Sequence, residues 1–173
     1  MARTEAVPPR ALLELNGTEL GADVHDAIVD LRVVNGFGVP DYARIEFRVS
    51  ATGSGLSASE ITTKMGDELT ISIDDGTASW TIFEGLVVGL GLEVDTGTSQ
   101  HVVVECYDRL YTLGRKTVAT SYQNMTPRDL VEQLVRDAGP TPQVASWPGE
   151  QFELRYRYAT AYATIDHLVR DAG

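Results

Sequence analysis

The groups in this chain that could do chemistry are three histidines, one cysteine and 25 Asp and Glu residues. His25, His101 and His167 fall in a predicted loop, strand and helix, and their spacing suits no metal. His167 sits beside a helical apolar stripe, where a boundary residue is expected. Cys106 stands alone, so no intrachain disulfide can form, and its neighbours Val104 and Tyr107 predict a thiol packed in a strand. Most carboxylates lie on polar strand faces or in turns such as Asp74-Asp75, and no two are singled out as a glycosidase pair. No nucleophile elbow occurs. Gly85, Gly89 and Gly91 have the wrong spacing for a nucleotide loop, and no helix follows them. Tyr107-Asp108-Arg109-Leu110 is the most suggestive polar cluster. An Asp-Arg pair at a strand exit can cap backbone amides and tie the strand to the next segment, with a binding site as the alternative. These residues predict no catalytic centre, no metal and no organic cofactor.

The elements that hold these groups are mostly strands. Residues 1–9 read as a flexible arm. From Arg10 the pattern has period two. Leu13 and Leu15 share a face, and Asn16-Gly17 signals a tight hairpin. Val29, Leu31 and Val33 alternate with Asp30 and Arg32. Ala43, Ile45, Phe47 and Val49 alternate with Arg44, Glu46 and Arg48, the clearest half-buried strand in the chain. Residues 50–59 form a Gly/Ser-rich loop, and a short helical turn is expected within 59–65. Leu69, Ile71 and Ile73 make a strand closed by Asp74-Asp75-Gly76. A longer strand opens at Trp80 and Ile82 and continues with Leu86, Val88, Leu90, Leu92 and Val94 on one face. Gly85, Gly89 and Gly91 take the other face, where glycine permits bending or close backbone approach. After a loop at 95–99, Val102, Val104 and Cys106 alternate with His101, Val103 and Glu105. About six or seven antiparallel strands with no crossover helix predict a closed or nearly closed β-barrel over residues 10–122.

Residues 123–173 read differently. Thr126 suits an N-cap, Pro127 the first helical position, and Asp129 the far side of a capping box. Leu130, Val131, Leu134, Val135 and Ala138 form the stripe, Gly139 is the cap glycine, and Pro140 blocks continuation. A Pro-rich loop with Trp147 precedes a strand with Phe152, Leu154 and Tyr156 on one face. A second helix comes next, with Ile165, Leu168, Val169 and Ala172 on its face. The string LVRDAG at 134–139 recurs at 168–173, read as a shared way of ending a helix, with a true short repeat as the alternative. Because a helix cap stands at Gly173, the second domain is expected to be truncated.

Bulk properties exclude several roles. With 14 Lys and Arg against 25 Asp and Glu, the formal charge is −11, which repels phosphate and disfavours nucleic-acid and anionic-membrane binding. A hydrophobic fraction of 43% over 173 residues is enough for a folded core. No apolar run approaches the roughly 20 residues of a membrane helix, so no membrane insertion by this segment is expected. MARTEAVPPR lacks an apolar run after its charge, so synthesis in the cytoplasm without a signal peptide is expected.

One order of motifs carries a family resemblance. Phe83-Glu84-Gly85 comes first, then Tyr107-Asp108-Arg109-Leu110, then Tyr122-Gln123-Asn124-Met125-Thr126, then the helix ending in Ala138-Gly139. This resembles the phage late control gene D family, including the hub part of VgrG-type spike proteins in contractile tails and injection systems. In the later helix, His167-Leu168 stands where that family usually has an aromatic-Leu pair. The resemblance implies a mainly β fold with α. It would be an antiparallel tail-tube-like β-barrel followed by the helix-strand-helix start of a second related barrel. It marks Phe83, Gly85, Tyr107, Asp108, Arg109, Leu110, Asn124, Thr126 and Gly139 as structural motif residues. It implies a homotrimeric hub of the baseplate in a phage tail or injection particle, joining a hexameric inner tube to a trimeric spike. The implied partners are the inner tube protein, the spike tip and other baseplate proteins. The readings that compete with it are a β-barrel module binding a glycan or receptor, and a tail-associated cell-wall hydrolase.

Overall fold

The computed structural model describes residues 9–36, 38–50, 56–94, 99–118, 121–139, 141–143, 152–155 and 159–172. All but Pro9 of the expected arm at 1–9, all but Ser99 of the hairpin loop at 95–99, half of the Gly/Ser loop at 50–59 and most of the Trp147 segment lie outside them. The chain forms two compact units, Met1–Asp108 and Arg109–Gly173.

The first unit is one seven-stranded antiparallel sheet with strand order β2-β1-β5-β6-β7-β4-β3. Its strands are β1 (Arg10–Leu15), β2 (Thr18–Glu19), β3 (Ile28–Val34), β4 (Tyr42–Ser50), β5 (Glu68–Asp74), β6 (Ser79–Val94) and β7 (Ser99–Tyr107). Between β1 and β2, Asn16 and Gly17 both take positive φ (51° and 75°), which the predicted two-residue turn requires. The Asn16 side chain also holds the start of β5, accepting from the Glu68 amide at 3.0 Å and donating to Asp67 at 3.1 Å.

The core lies on one face of this sheet. Leu13, Ala43, Ile45, Phe47, Leu69, Ile71, Phe83, Val87, Val104 and Cys106 form one buried cluster. β1 and β4 stand near opposite ends of the strand order, yet Leu13 and Ile45 share that cluster, so the sheet curls over its own core. Full burial of each such side chain favours folding by about 1.5–3 kcal/mol. The inward set predicted for β4 is observed: Ala43, Ile45, Phe47 and Val49 are all buried.

The expected closure into a barrel is not observed among the described residues. The hydrogen-bond ladder ends at β2 on one side and at β3 on the other. The chain crosses from one edge to the other through a short helix α1 (Ala22–Asp26), and Leu20 and Val24 pack on the core there. Side chains, not backbone pairing, close only part of the seam.

Three register shifts break the alternation of the sheet; one leaves Ile82 unpaired between Phe83 and Thr81, and the other two correct the predicted strand faces. In β6, Val87 pairs with Cys106 and Gly89 with Glu105, which leaves Val88 as the extra residue. Before the bulge the core face carries Phe83, Gly85 and Val87, so Leu86 and Gly85 lie opposite to their predicted faces. After it, Leu90 pairs with Val104 and Leu92 with Val102, which puts Leu90, Leu92 and Val94 on the core face as one set. This end of β6 outruns the covered core, and the three residues remain 45%, 57% and 64% exposed. A second shift, between Ile28 and Asp30 in β3, leaves Val29 exposed and out of phase with Leu31 and Val33. The helical turn expected within 59–65 occurs at Ala58–Glu60, capped by a Ser57–Glu60 box.

The second unit contains α2 (Leu110–Arg115), β8 (Thr117–Val118), β9 (Ser121–Met125), α3 (Pro127–Asp137), β10 (Phe152–Arg155), β11 (Ala159–Thr160) and α4 (Ala161–Ala172). Leu113, Val118, Leu130, Val131, Leu134, Ala161 and Leu168 form its core. Residues 109–122, grouped from sequence with the first barrel, belong here. β8 pairs with β11 through Val118 and Ala159, and the Ala161 amide donates to the Lys116 carbonyl at 2.7 Å. β9 pairs with β10.

Both helices of the LVRDAG echo use the same start. Thr126 Oγ1 accepts from the Asp129 amide at 3.2 Å, and Thr160 Oγ1 accepts from the Ala163 amide at 3.1 Å. Leu130 and Leu134 in α3 match Thr164 and Leu168 in α4, and all four are buried. Val169, predicted on the packed face of α4, is 51% exposed because the buried stripe runs through Ala161, Thr164 and Leu168.

Candidate assembly face

The sheet face opposite the core carries the chain's most organised polar chemistry. Period-two alternation sends Arg44, Glu46 and Arg48 of β4 to this side. Register then sets their neighbours: Arg32 beside Arg44, Asp30 beside Glu46, Glu105 across from Arg44, and His101 across from Arg48. Arg44 is the centre. Its guanidinium reaches Glu46 at 2.9 Å, Glu93 at 3.2 Å and Asp30 at 3.7 Å, joining β3, β4 and β6. The other Glu46 oxygen meets His101 Nδ1 on β7. Tyr42 donates its hydroxyl to Glu105 at 3.1 Å, while its ring packs tilted against Tyr107 with centroids 5.1 Å apart.

These contacts tune the groups. The hydrogen bond from His101, and then that from Arg44, hold the Glu46 carboxyl below its ordinary range. The Glu46 hydrogen bond raises the Arg44 guanidinium further. Burial first, and then Glu105, raises the Tyr42 phenol. The face is a lattice of polar contacts that ties together β3, β4, β6 and β7.

A glycine makes room for it. A Cβ on Gly89 would come 2.9 Å from the Glu105 carboxylate and 3.3 Å from its Cβ. Gly85 does a different job on the core face. A Cβ there would collide with the Tyr107 carbonyl and with the Phe83 ring, which lies over the glycine. The Phe-x-Gly spacing is thus one packing unit, an aromatic ring covering the residue two places along the same face.

The other motif residues have local structural roles and do not converge on one site. Tyr107 ends β7, and the Asp108 amide donates to the Asp41 carbonyl at 3.0 Å. The Arg109 carbonyl accepts from Thr112 Oγ1 at 2.6 Å and from its amide at 3.2 Å, starting α2. Leu110 packs against the second core. Asn124 takes φ 55° within β9, where the β9–β10 register shifts. Thr126 forms the predicted capping box with Asp129, and Gly139 takes φ 106° past α3. The residues that sequence reasoning missed are Tyr42, Glu93 and Glu105. Their signal was weak, since only a known register brings them to Arg44 and Gly89.

No group of three or more metal-ligating side chains occurs among the described residues. Burial pushes the Cys106 thiol up to about 12, with Glu105 adding to the effect, so it is a poor nucleophile. No helix among the described residues is long and apolar enough to cross a membrane.

The sequence model of the Alg8 N-terminal domain matches residues 28–162, most of the chain. The chain belongs to the Alg8 N-terminal domain family. None of the curated proteins compared with it matches. Among solved structures, the 43 kDa tail protein of prophage MuSo2 from Shewanella oneidensis is similar over 95% of this chain and 49% of its own, with 13% identity and a TM-score of 0.76. The tail protein from Neisseria meningitidis MC58 is similar over 94% and 45%, at 12% identity and TM-score 0.59. The E. coli c3393 protein is described as a type VI secretion component similar to the T4 tail proteins gp27 and gp5. It matches over 91% and 42%, at 14% identity and TM-score 0.56. This member of the Alg8 N-terminal domain family thus has a tail-protein fold, and it spans about half the length of those structures or less.

Proposed function

We propose that the chain is part of a structural component of a phage tail or related injection particle, and that it acts without catalysis. The observation that carries this reading is the shared fold over 95% of the chain with a tail protein. The site chemistry supports it: the polar groups satisfy one another, and the lone thiol is buried. Both are properties of a wall or contact surface.

At finer grain we propose a baseplate hub of the late control gene D or VgrG type. The full protein forms a trimer at the junction between a hexameric inner tube and a trimeric spike. Each subunit supplies two tube-like domains, so that three subunits present a pseudo-sixfold ring. Symmetric rings close when one heterologous interface repeats with the right rotation. The partners in this reading are the tube protein, the spike tip and other baseplate proteins, with neither nucleic acid nor membrane. The protein is made in the cytoplasm and ends up in the particle.

Cryo-EM of the assembled particle tests this. Three copies at the tube–spike junction are expected. Six equivalent copies around the tube, or density on the sheath exterior, would overturn the hub assignment.

A further inference from the structure

The open seam of the first unit holds an unfilled groove of about 380 Å³. Arg10, Ala11 and Leu12 of β1 line one side, and Ile28 and Leu31 of β3 the other, with Leu20 and α1 between them. Among the described residues both walls are strand edges. On β1 the hairpin with β2 covers Glu14 and Leu15, and the Leu20 amide takes the Leu13 carbonyl at 2.8 Å, which leaves the Arg10–Leu12 stretch open; β3 is the last strand of the sheet. Unpaired edges present rows of backbone donors and acceptors that an extended chain satisfies. The groove also contains a polar group in need of a partner. Both ring nitrogens of His25 are buried, and neither has a hydrogen-bond partner among the described residues.

We infer that this groove receives an extended peptide segment of another, basic protein, which pairs with β3 as an added strand. The apolar lining (Leu12, Leu20, Ile28, Leu31) takes every second side chain of the guest, since strand side chains alternate. A polar atom of the guest bonds His25. Charge selects the guest. Glu19 and Asp26 outnumber Arg10 at the groove, on a chain of net charge −11. At this acidic groove a lysine- or arginine-flanked segment is attracted. The volume suits a few residues, so the guest contributes a short strand and not a domain.

The test uses the whole chain and an eight-residue peptide of alternating Val and Thr flanked by lysines. Its controls are the same peptide N-methylated at alternate amides and a version flanked by glutamates. Hydrogen exchange should show saturable protection of β3 amides with the lysine peptide. Binding should fall at least tenfold for the methylated and the glutamate versions. His25→Phe, which keeps the ring but removes its nitrogens, should weaken binding about tenfold while leaving the exchange of β4 and β7 unchanged. The proposal fails if β3 gains no protection at millimolar peptide, or if the methylated peptide binds equally. Concentration-dependent protection of β3 without peptide would assign the groove to a second copy and also overturn it.

Discussion

The two units reach stability by opposite routes. In Met1–Asp108 the contacts are long-range: β4 pairs with β7 from Ser50–Ser99 to Tyr42–Tyr107, 49 to 65 residues apart, and the core is one face of a curled sheet. In Arg109–Gly173 the regular structure is local. Two threonine-capped helices carry their own starts, α3 also its own stop at Gly139, and the strand pairs that join distant segments, β8–β11 and β9–β10, are short. The lesson concerns where a mutation acts. In the sheet, a side chain matters through what lies across the register. In the helical unit, it matters through what lies three or four residues along the chain.

Phe47→Ala tests the sheet most severely. Phe47 is 2% exposed and packs in the first core. Its truncation should cost about 3–5 kcal/mol, because the curled sheet collapses only partly around the cavity. Urea denaturation combined with hydrogen exchange in β4 and β7 measures it. A loss under about 1 kcal/mol would mean that the core repacks freely and that the curl is soft.

A pair of glycine substitutions separates the two faces of the sheet. Gly85→Ala drives a methyl into the Tyr107 carbonyl and the Phe83 ring, so backbone and core must both shift. A loss of about 1–3 kcal/mol is expected. Gly89→Ala meets mainly the end of the flexible Glu105 side chain, which can turn away at the expense of the Tyr42 hydrogen bond. That should cost about 0.5–1.5 kcal/mol. Thermal melts of the two variants give the order, and the reverse order would refute the face assignment set by the Val88 bulge.

Legibility in the sequence divides along the same line. β4 is legible because its alternation is unbroken over nine residues. α3 is legible because Thr126, Asp129 and Gly139 act on their own backbone. β6 misleads because a bulge has no residue signature: Val88 looks like any strand valine, yet it reverses every face after it. Residues 109–122 group with the wrong unit because α2 is only six residues long, too short to show a helical stripe. The seam stays open because closure depends on edge pairing between β1 and β3, which alternation does not encode. The charged face is half legible. Alternation places Arg44, Glu46 and Arg48 opposite the core, but their partners on β3, β6 and β7 depend on register.

In the helical unit, Thr126→Ala should cost about 1 kcal/mol, by removing the oxygen that accepts the Asp129 amide. Thr126→Ser should retain most of the stability. Because the cap is local, the loss should appear as faster exchange in the first turn of α3. Equal loss throughout β4 would contradict the local character of this unit.

The smallest effect expected is a pH dependence on the charged face. Glu46 has a carboxyl held low, chiefly by His101 and then by Arg44, and its side chain is 17% exposed. For a carboxyl lowered on folding, the stabilisation is fully present above the unfolded pKa, about 4.3. It is lost as pH falls through the lower folded value, because protonation breaks the pairing with Arg44. Wild-type stability should therefore drop on acidification through this range. Glu46→Gln should remove that part of the slope while costing about 1 kcal/mol or less at pH 7, as a partly exposed ion pair would. The comparison is made by urea titrations at about pH 7, 5 and 3.5 on both proteins, which bracket the ordinary carboxylate range. Identical slopes would show that Arg44 exchanges freely among Glu46, Glu93 and Asp30, and that the face is a loose cluster of charges with no organising pair.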